Sequence, residues 1–121
     1  MRRLTPAEVE AYDVVPRAVA ARVRIQHWRL LAPGTSGMTF GRLILLRTDD
    51  DRDGTRQIIA HELIHVGQYA EHGLFGFLAR YVRAYVHQLW RLHSHRRAYL
   101  AIPFEQEAYA EADRWAARHL V

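Results

Sequence analysis

The mixture of polar and apolar residues near the N-terminus starts with a helix-entry signal. Thr5 precedes a proline and is followed three residues later by Glu8, which is the order of a capping box. A first helix is therefore expected to begin here and to be interrupted at Pro16, whose ring cannot continue a helix.

The pattern then changes to one that is typical of strands. Residues 22–31 and 37–48 are rich in β-branched and aromatic side chains, and Gly and Pro lie between them. We predict two strands that are joined by a turn at Pro33–Gly37.

A polar turn, DDDRDG, separates this region from a segment that is apolar on most sides. Thr55 is the expected N-cap of this helix, and Gly73 is its expected end, because glycine adopts the left-handed conformation that often follows a helix.

The remaining sequence predicts two further helices. From Leu74 to about His93, polar residues recur every three or four positions between apolar ones, which indicates an amphipathic helix. We expect its apolar face to pack on the core and its arginines to face solvent; contact with a membrane surface is the weaker alternative. Residues 93–102 are predicted to be a loop, and Pro103 to open a final helix.

Composition places this pattern in one globular domain covering residues 1–121, with an α+β fold that is mostly helical. The N-terminus has two arginines but no apolar core of a signal peptide, so we expect a cytoplasmic protein.

There is no cysteine, so metal ligands must be His, Asp or Glu. All 17 basic residues are arginine and the net charge is +4, which permits an anionic partner without requiring one.

The apolar helix carries the sequence HELIH, which places ionisable groups where burial is costly. His61 and His65 are four residues apart and therefore lie on one face, with Glu62 close by on the same arc. A zinc ion bound by both imidazoles would satisfy them and leave the glutamate beside the metal.

Two protein ligands are too few for zinc, so a third must lie downstream. Glu107 belongs to a charged stripe of the last helix, whereas Glu105 lines up with the small and aromatic residues that pack inward. This spacing favours Glu105, and Glu107 stays open as the alternative.

HELIHVGQ, followed about forty residues later by PFEQEA, resembles the gluzincin metallopeptidases, whose second ligand helix has an E-x-x-A pattern that Glu105 to Ala108 match. The segments MTFGRLILLR and GLFGFLARYVRAY are similar to those of small bacterial zincin-like proteins. The resemblance runs from Met38 to Ala112. It implies a zincin-like core with a two- to three-stranded sheet packed on the HELIH helix. It also implies zinc on His61, His65 and Glu105, with Glu62 as general base.

The expected function is hydrolysis of peptide bonds in a peptide or protein substrate, through a zinc-activated water. Tyr99, Tyr109 and Arg97 are candidates to stabilise the oxyanion. The alternative is a non-catalytic interaction module that zinc stabilises. We do not expect nucleic-acid binding, because the arginines occur in no recognised nucleic-acid-binding motif.

Overall fold

The computed structural model describes residues 1–31, 35–49 and 52–120. An α+β fold is confirmed: a small mixed sheet packs beside a mostly helical body. The elements of the described residues are α1 (Pro6–Ala11), α2 (Arg17–Ala20), β1 (Arg24–His27), β2 (Gly37–Phe40), β3 (Leu43–Leu46), α3 (Gln57–His72), α4 (Leu74–Leu92), α5 (His95–Leu100) and α6 (Pro103–His119).

Among the described residues the sheet contains three strands, within the two to three that the resemblance implies, although the strand pattern alone predicted two. The second predicted strand is a hairpin, because Gly41 adopts a left-handed conformation (φ 63°) and reverses the chain between β2 and β3. β3 is the central strand, parallel to β1 and antiparallel to β2, so β2 lies at an edge. Part of the predicted turn at Pro33–Gly37 lies outside the described residues, and Gly37 itself begins β2.

The core lies where the sheet, the N-terminal helices, α3 and α6 meet. Ile44 of β3, Leu63 of α3 and Trp115 of α6 are fully buried in one apolar cluster. The indole Nε1 of Trp115 donates a hydrogen bond to the carbonyl of Ala11 at 2.8 Å, which fixes α6 against α1. These contacts position α3 and α6 side by side.

The expected capping of the HELIH helix by Thr55 is wrong, whereas its end at Gly73 is confirmed. The Thr55 hydroxyl donates to Asp53 instead, and Arg56 is the N-cap without a side-chain cap of its own. The backbone N–H of Arg56 donates to the hydroxyl of the fully buried Tyr12 at 3.0 Å. A residue of α1's C-terminal end thus satisfies a donor at the start of α3.

Residues 93–102 are not a loop as predicted, because α5 forms within them. The Ser94 hydroxyl accepts the backbone N–H of Arg97, which is the bond of a helix N-cap. The capping box of α1 and the start of α6 at Pro103 are confirmed. The predicted break at Pro16 is misplaced, because α1 already ends at Ala11 and Pro16 is the N-cap of α2.

The helix predicted from Leu74 is confirmed as α4, but the expectation that its apolar face packs on the core is wrong for most of its length. Only Phe77 is buried. Val82, Val86 and Trp90 are all exposed. The side of α4 that contacts the rest of the chain is the one that carries Phe77 and Tyr81.

A buried ionic cluster ties the N-terminus to the body. The Arg2 guanidinium donates to Glu8 at 2.7 Å and to Asp49 at 2.8 Å, and Glu8 is completely buried. Burial raises the pKa of the Asp49 carboxyl, but the hydrogen bonds from Arg2 outweigh this and hold that pKa below its usual value. Arg2 therefore bridges two carboxylates that would otherwise repel each other.

We predict that Arg2→Met lowers the free energy of unfolding by about 3–5 kcal/mol, because it leaves the Glu8 carboxylate buried without its cation. Arg3→Met is the matched control, since Arg3 is exposed and next in sequence. The measurement is urea denaturation of the three proteins. Equal midpoints for the two variants would show that the cluster does not stabilise the fold.

Candidate metal centre

α3 and α6 bring three buried side chains to one point. His61 and His65 lie one turn apart on α3, and their Nε2 atoms are 3.1 and 2.9 Å from the same oxygen, Oε1 of Glu105. All three residues are at most 6% exposed. Within the described part of the chain this is the group whose donor atoms lie close enough together to hold a metal ion.

Packing of α6 explains why Glu105 faces this point. Pro103 begins the helix, so Glu105 is in the first turn, and Ala108 and Ala112 below it pack against Ile64 of α3. The small alanine side chains let the two helices approach closely. The inward position predicted for Glu105 is therefore found in the structure.

Glu107, the alternative ligand, lies on another face of α6 and is exposed. Its Oε1 accepts a hydrogen bond from Nε2 of Gln68 at 3.3 Å and does not join the two histidines. The geometry thus favours Glu105 over Glu107 as the third donor.

Gln68 fixes the orientation of the His65 ring. Its amide nitrogen donates to the Phe104 carbonyl at 3.1 Å, which turns its amide oxygen towards His65. That oxygen lies 2.8 Å from Nδ1 of His65, and because it can only accept, Nδ1 must carry a proton. Nε2 is then the nitrogen that is available to a metal.

Tyr81 of α4 fixes the orientation of the Glu105 carboxylate. Its hydroxyl donates to Oε2 of Glu105 at 2.5 Å, which leaves Oε1 for the histidines. Burial, and then the charge of Glu105, raise the pKa of Tyr81 well above its usual value, so the hydroxyl keeps its proton. No local pattern indicates this role, because Tyr81 fits the apolar spacing of its helix.

The electrostatics of the three donors suit a cation. Burial raises the pKa of the Glu105 carboxyl, but hydrogen bonds from His61 and His65 lower it far more, so the group is ionised. Burial lowers the pKa of His65, and contact with Glu105 more than reverses this. Two imidazole nitrogens and one carboxylate oxygen are a donor set that zinc accepts, so the residues present fit this ion.

Glu62 is beside this group and not part of it. Its Oε2 accepts the hydroxyl of Thr39, on the edge strand β2, at 2.6 Å. Burial raises the pKa of the Glu62 carboxyl, opposed by the charge of His65 and by the Thr39 hydrogen bond. Thr39 is a contact that sequence reasoning missed; its only signal is its place between Met38 and Phe40 in an alternating strand, on the face opposite theirs.

A cleft of about 530 Å³ opens over His61 and Glu62, between β2, α3, α5 and α6. Tyr99 and Tyr109 both line it, with their hydroxyls 3.3 Å apart, and the Tyr109 ring is 4.5 Å from that of His61. Arg97, the third oxyanion candidate, is not among the lining residues, whereas its neighbour Arg96 is.

Gly37 shows how closely β2 approaches the motif helix. A Cβ at this position would lie 3.3 Å from Cγ of Glu62. A side chain here would press on that glutamate, so glycine keeps this wall of the cleft open.

Comparison with known proteins gives one finding. A family model described as the eCIS core domain matches residues 20–73, which is less than half of the chain. The matched segment contains the three strands and α3, and so includes His61, Glu62 and His65 but not Glu105. No curated protein matches the chain, and no solved structure does. The chain is therefore similar to the eCIS core domain through its sheet and its motif helix.

Proposed function

We propose that the protein is a zinc-dependent metallopeptidase that hydrolyses peptide bonds. One observation carries this proposal: the Glu62 carboxylate lies at the cleft, next to the His61, His65 and Glu105 group but outside it. A site that only stabilises a fold has no use for such a base, because structural zinc sites are closed by their ligands.

His61, His65 and Glu105 would hold the ion. When bound, zinc would act as a Lewis acid that lowers the pKa of water and polarises the substrate carbonyl. Gln68 and Tyr81 would orient two of the three ligands through the hydrogen bonds described above.

Glu62 would act as the general base and then as the general acid. Its carboxylate would accept the proton of the attacking water and pass that proton to the leaving amine. Thr39 holds one carboxylate oxygen, which leaves the other oxygen for this transfer. The pKa of Glu62, raised by burial, suits a group that must both take and release a proton.

Tyr99 and Tyr109 would donate hydrogen bonds to the oxyanion. Burial, and then the hydrogen bond with Tyr109, raise the pKa of Tyr99 well above its usual value, so its hydroxyl is a donor at neutral pH. Both tyrosines line the cleft that also contains Glu62.

The edge strand β2, which borders the cleft, would provide a place for an extended peptide. β2 is at the edge of the sheet and its first residue, Gly37, lines the cleft. An extended substrate can add to such an edge through main-chain hydrogen bonds, which do not depend on its sequence.

The test is cleavage of a mixed peptide library by the zinc-loaded protein, followed by mass spectrometry. We predict cleavage that stops when a chelator removes the metal and returns when zinc is added. A folded, zinc-loaded protein that cleaves no peptide would overturn the proposal and favour the non-catalytic module.

A further inference from the structure

The exposed side of α4 carries an apolar stripe, defined here by Phe75, Ala79, Val82, Val86 and Leu89. Their spacings of four, three, four and three residues place them within one arc of the helix. Phe75 is 82% exposed, and Val82 and Val86 are more than half exposed. Such a row of exposed apolar side chains indicates a surface that binds another molecule or a membrane.

This stripe faces away from the protein. At about 100° per residue it lies roughly opposite Phe77 and Tyr81, which pack on α3 and contact Glu105. Residues of the described chain therefore cover one side of α4 and leave the apolar stripe to solvent.

The side of α4 next to the stripe is positively charged. Arg80, Arg83 and Arg91 lie on it, and α4 contains no Asp or Glu. None of the three arginines forms an ion pair with a described residue. The helix thus combines an apolar surface with cations that have no acidic partner in the described part of the chain.

Trp90 lies between the stripe and the arginines and is 77% exposed. Tryptophan is favoured at the boundary between hydrocarbon and lipid headgroups, where its ring is half in an apolar medium. From Phe75 to Trp90 the helix extends about 22 Å. Large aromatic side chains therefore stand near both ends of the surface.

We propose that α4 is a docking surface for an anionic lipid bilayer, on which the helix lies in the plane of the headgroups. The apolar stripe would enter the acyl boundary, and the arginines would pair with lipid phosphates. No described helix is long and apolar enough to cross a bilayer, so contact would be peripheral. A core-facing apolar side of α4 would argue against membrane contact, but the stripe faces solvent.

The positive charge of α4 argues against a second copy of the chain as the partner that covers the stripe. Two α4 helices packed through their stripes would bring arginines from both chains together, with no acidic residue on either helix to pair with them. A bilayer offers negative charge along the whole helix and needs no complementary groove.

The test is co-sedimentation of the full chain with vesicles of phosphatidylcholine alone or with about 30% phosphatidylglycerol. We expect binding to the anionic vesicles only, weakened about tenfold or more by Val82→Ser with Val86→Ser. Arg80→Gln with Arg83→Gln should also weaken it. The matched control is Leu30→Ser, which changes a residue 83% exposed outside α4 and should bind normally.

Absence of binding to anionic vesicles by the folded wild type would overturn the proposal. Binding that the serine pair does not weaken would also overturn it, because another surface would then be responsible. A dimer in light scattering that the serine pair abolishes, without vesicle binding, would identify a second copy as the occupant.

Discussion

The variant Glu62→Gln is expected to keep its zinc and to lose peptide cleavage by about 10²–10⁴-fold. Glutamine has the size of glutamate, and its amide oxygen can still accept the Thr39 hydroxyl. What it cannot do is take a proton from water. The loss should therefore appear in kcat, while the zinc content and the unfolding midpoint stay close to those of the wild type.

The measurement is the rate of cleavage of one peptide, chosen from the library, by zinc-loaded wild type and variant. Glu107→Gln supplies the matched control, because it makes the same chemical change at an exposed glutamate of α6. Full activity in the Glu62 variant would remove this residue from the mechanism. Equal losses in both variants would indicate a general effect of charge.

The second large effect is expected from Glu105→Gln, which should weaken zinc binding by at least about 100-fold. The change replaces the anionic donor with a neutral amide, while His61 and His65 keep their places on α3. Because zinc that binds only the folded state stabilises it, added zinc should raise the Tm of the wild type and not that of the variant.

Glu107→Gln again provides the comparison, now for affinity. Competition with a chromophoric chelator gives the zinc affinity of each protein. We expect the Glu107 variant to resemble the wild type, since its side chain contacts Gln68 and not the histidines. Loss of zinc from this variant alone would show that Glu107, and not Glu105, is the third ligand.

Much of the site could be predicted from sequence because helical spacing is rigid. Two histidines four residues apart must share a face, and the inward position of Glu105 follows from the alanines that recur with it on α6. The HELIH helix, its end at Gly73 and the start of α6 at Pro103 followed from equally local rules.

The surrounding contacts could not be predicted, because they join elements distant in the chain. Thr39 reaches Glu62 across 23 positions, and Tyr81 reaches Glu105 across 24. Nothing in the local pattern of a strand or a helix distinguishes these hydroxyls from others. A periodic apolar face likewise shows that α4 is amphipathic without showing what covers it, and here the described chain leaves the stripe exposed.

Elemental analysis of zinc in the purified wild-type protein, before and after incubation with added zinc, tests the central claim most directly. We predict about one zinc ion per chain, as expected for a single site with three protein ligands. A folded protein that contains no zinc and takes up none would contradict the account. His61, His65 and Glu105 would then be a buried polar cluster, and the peptidase proposal would fall with the metal.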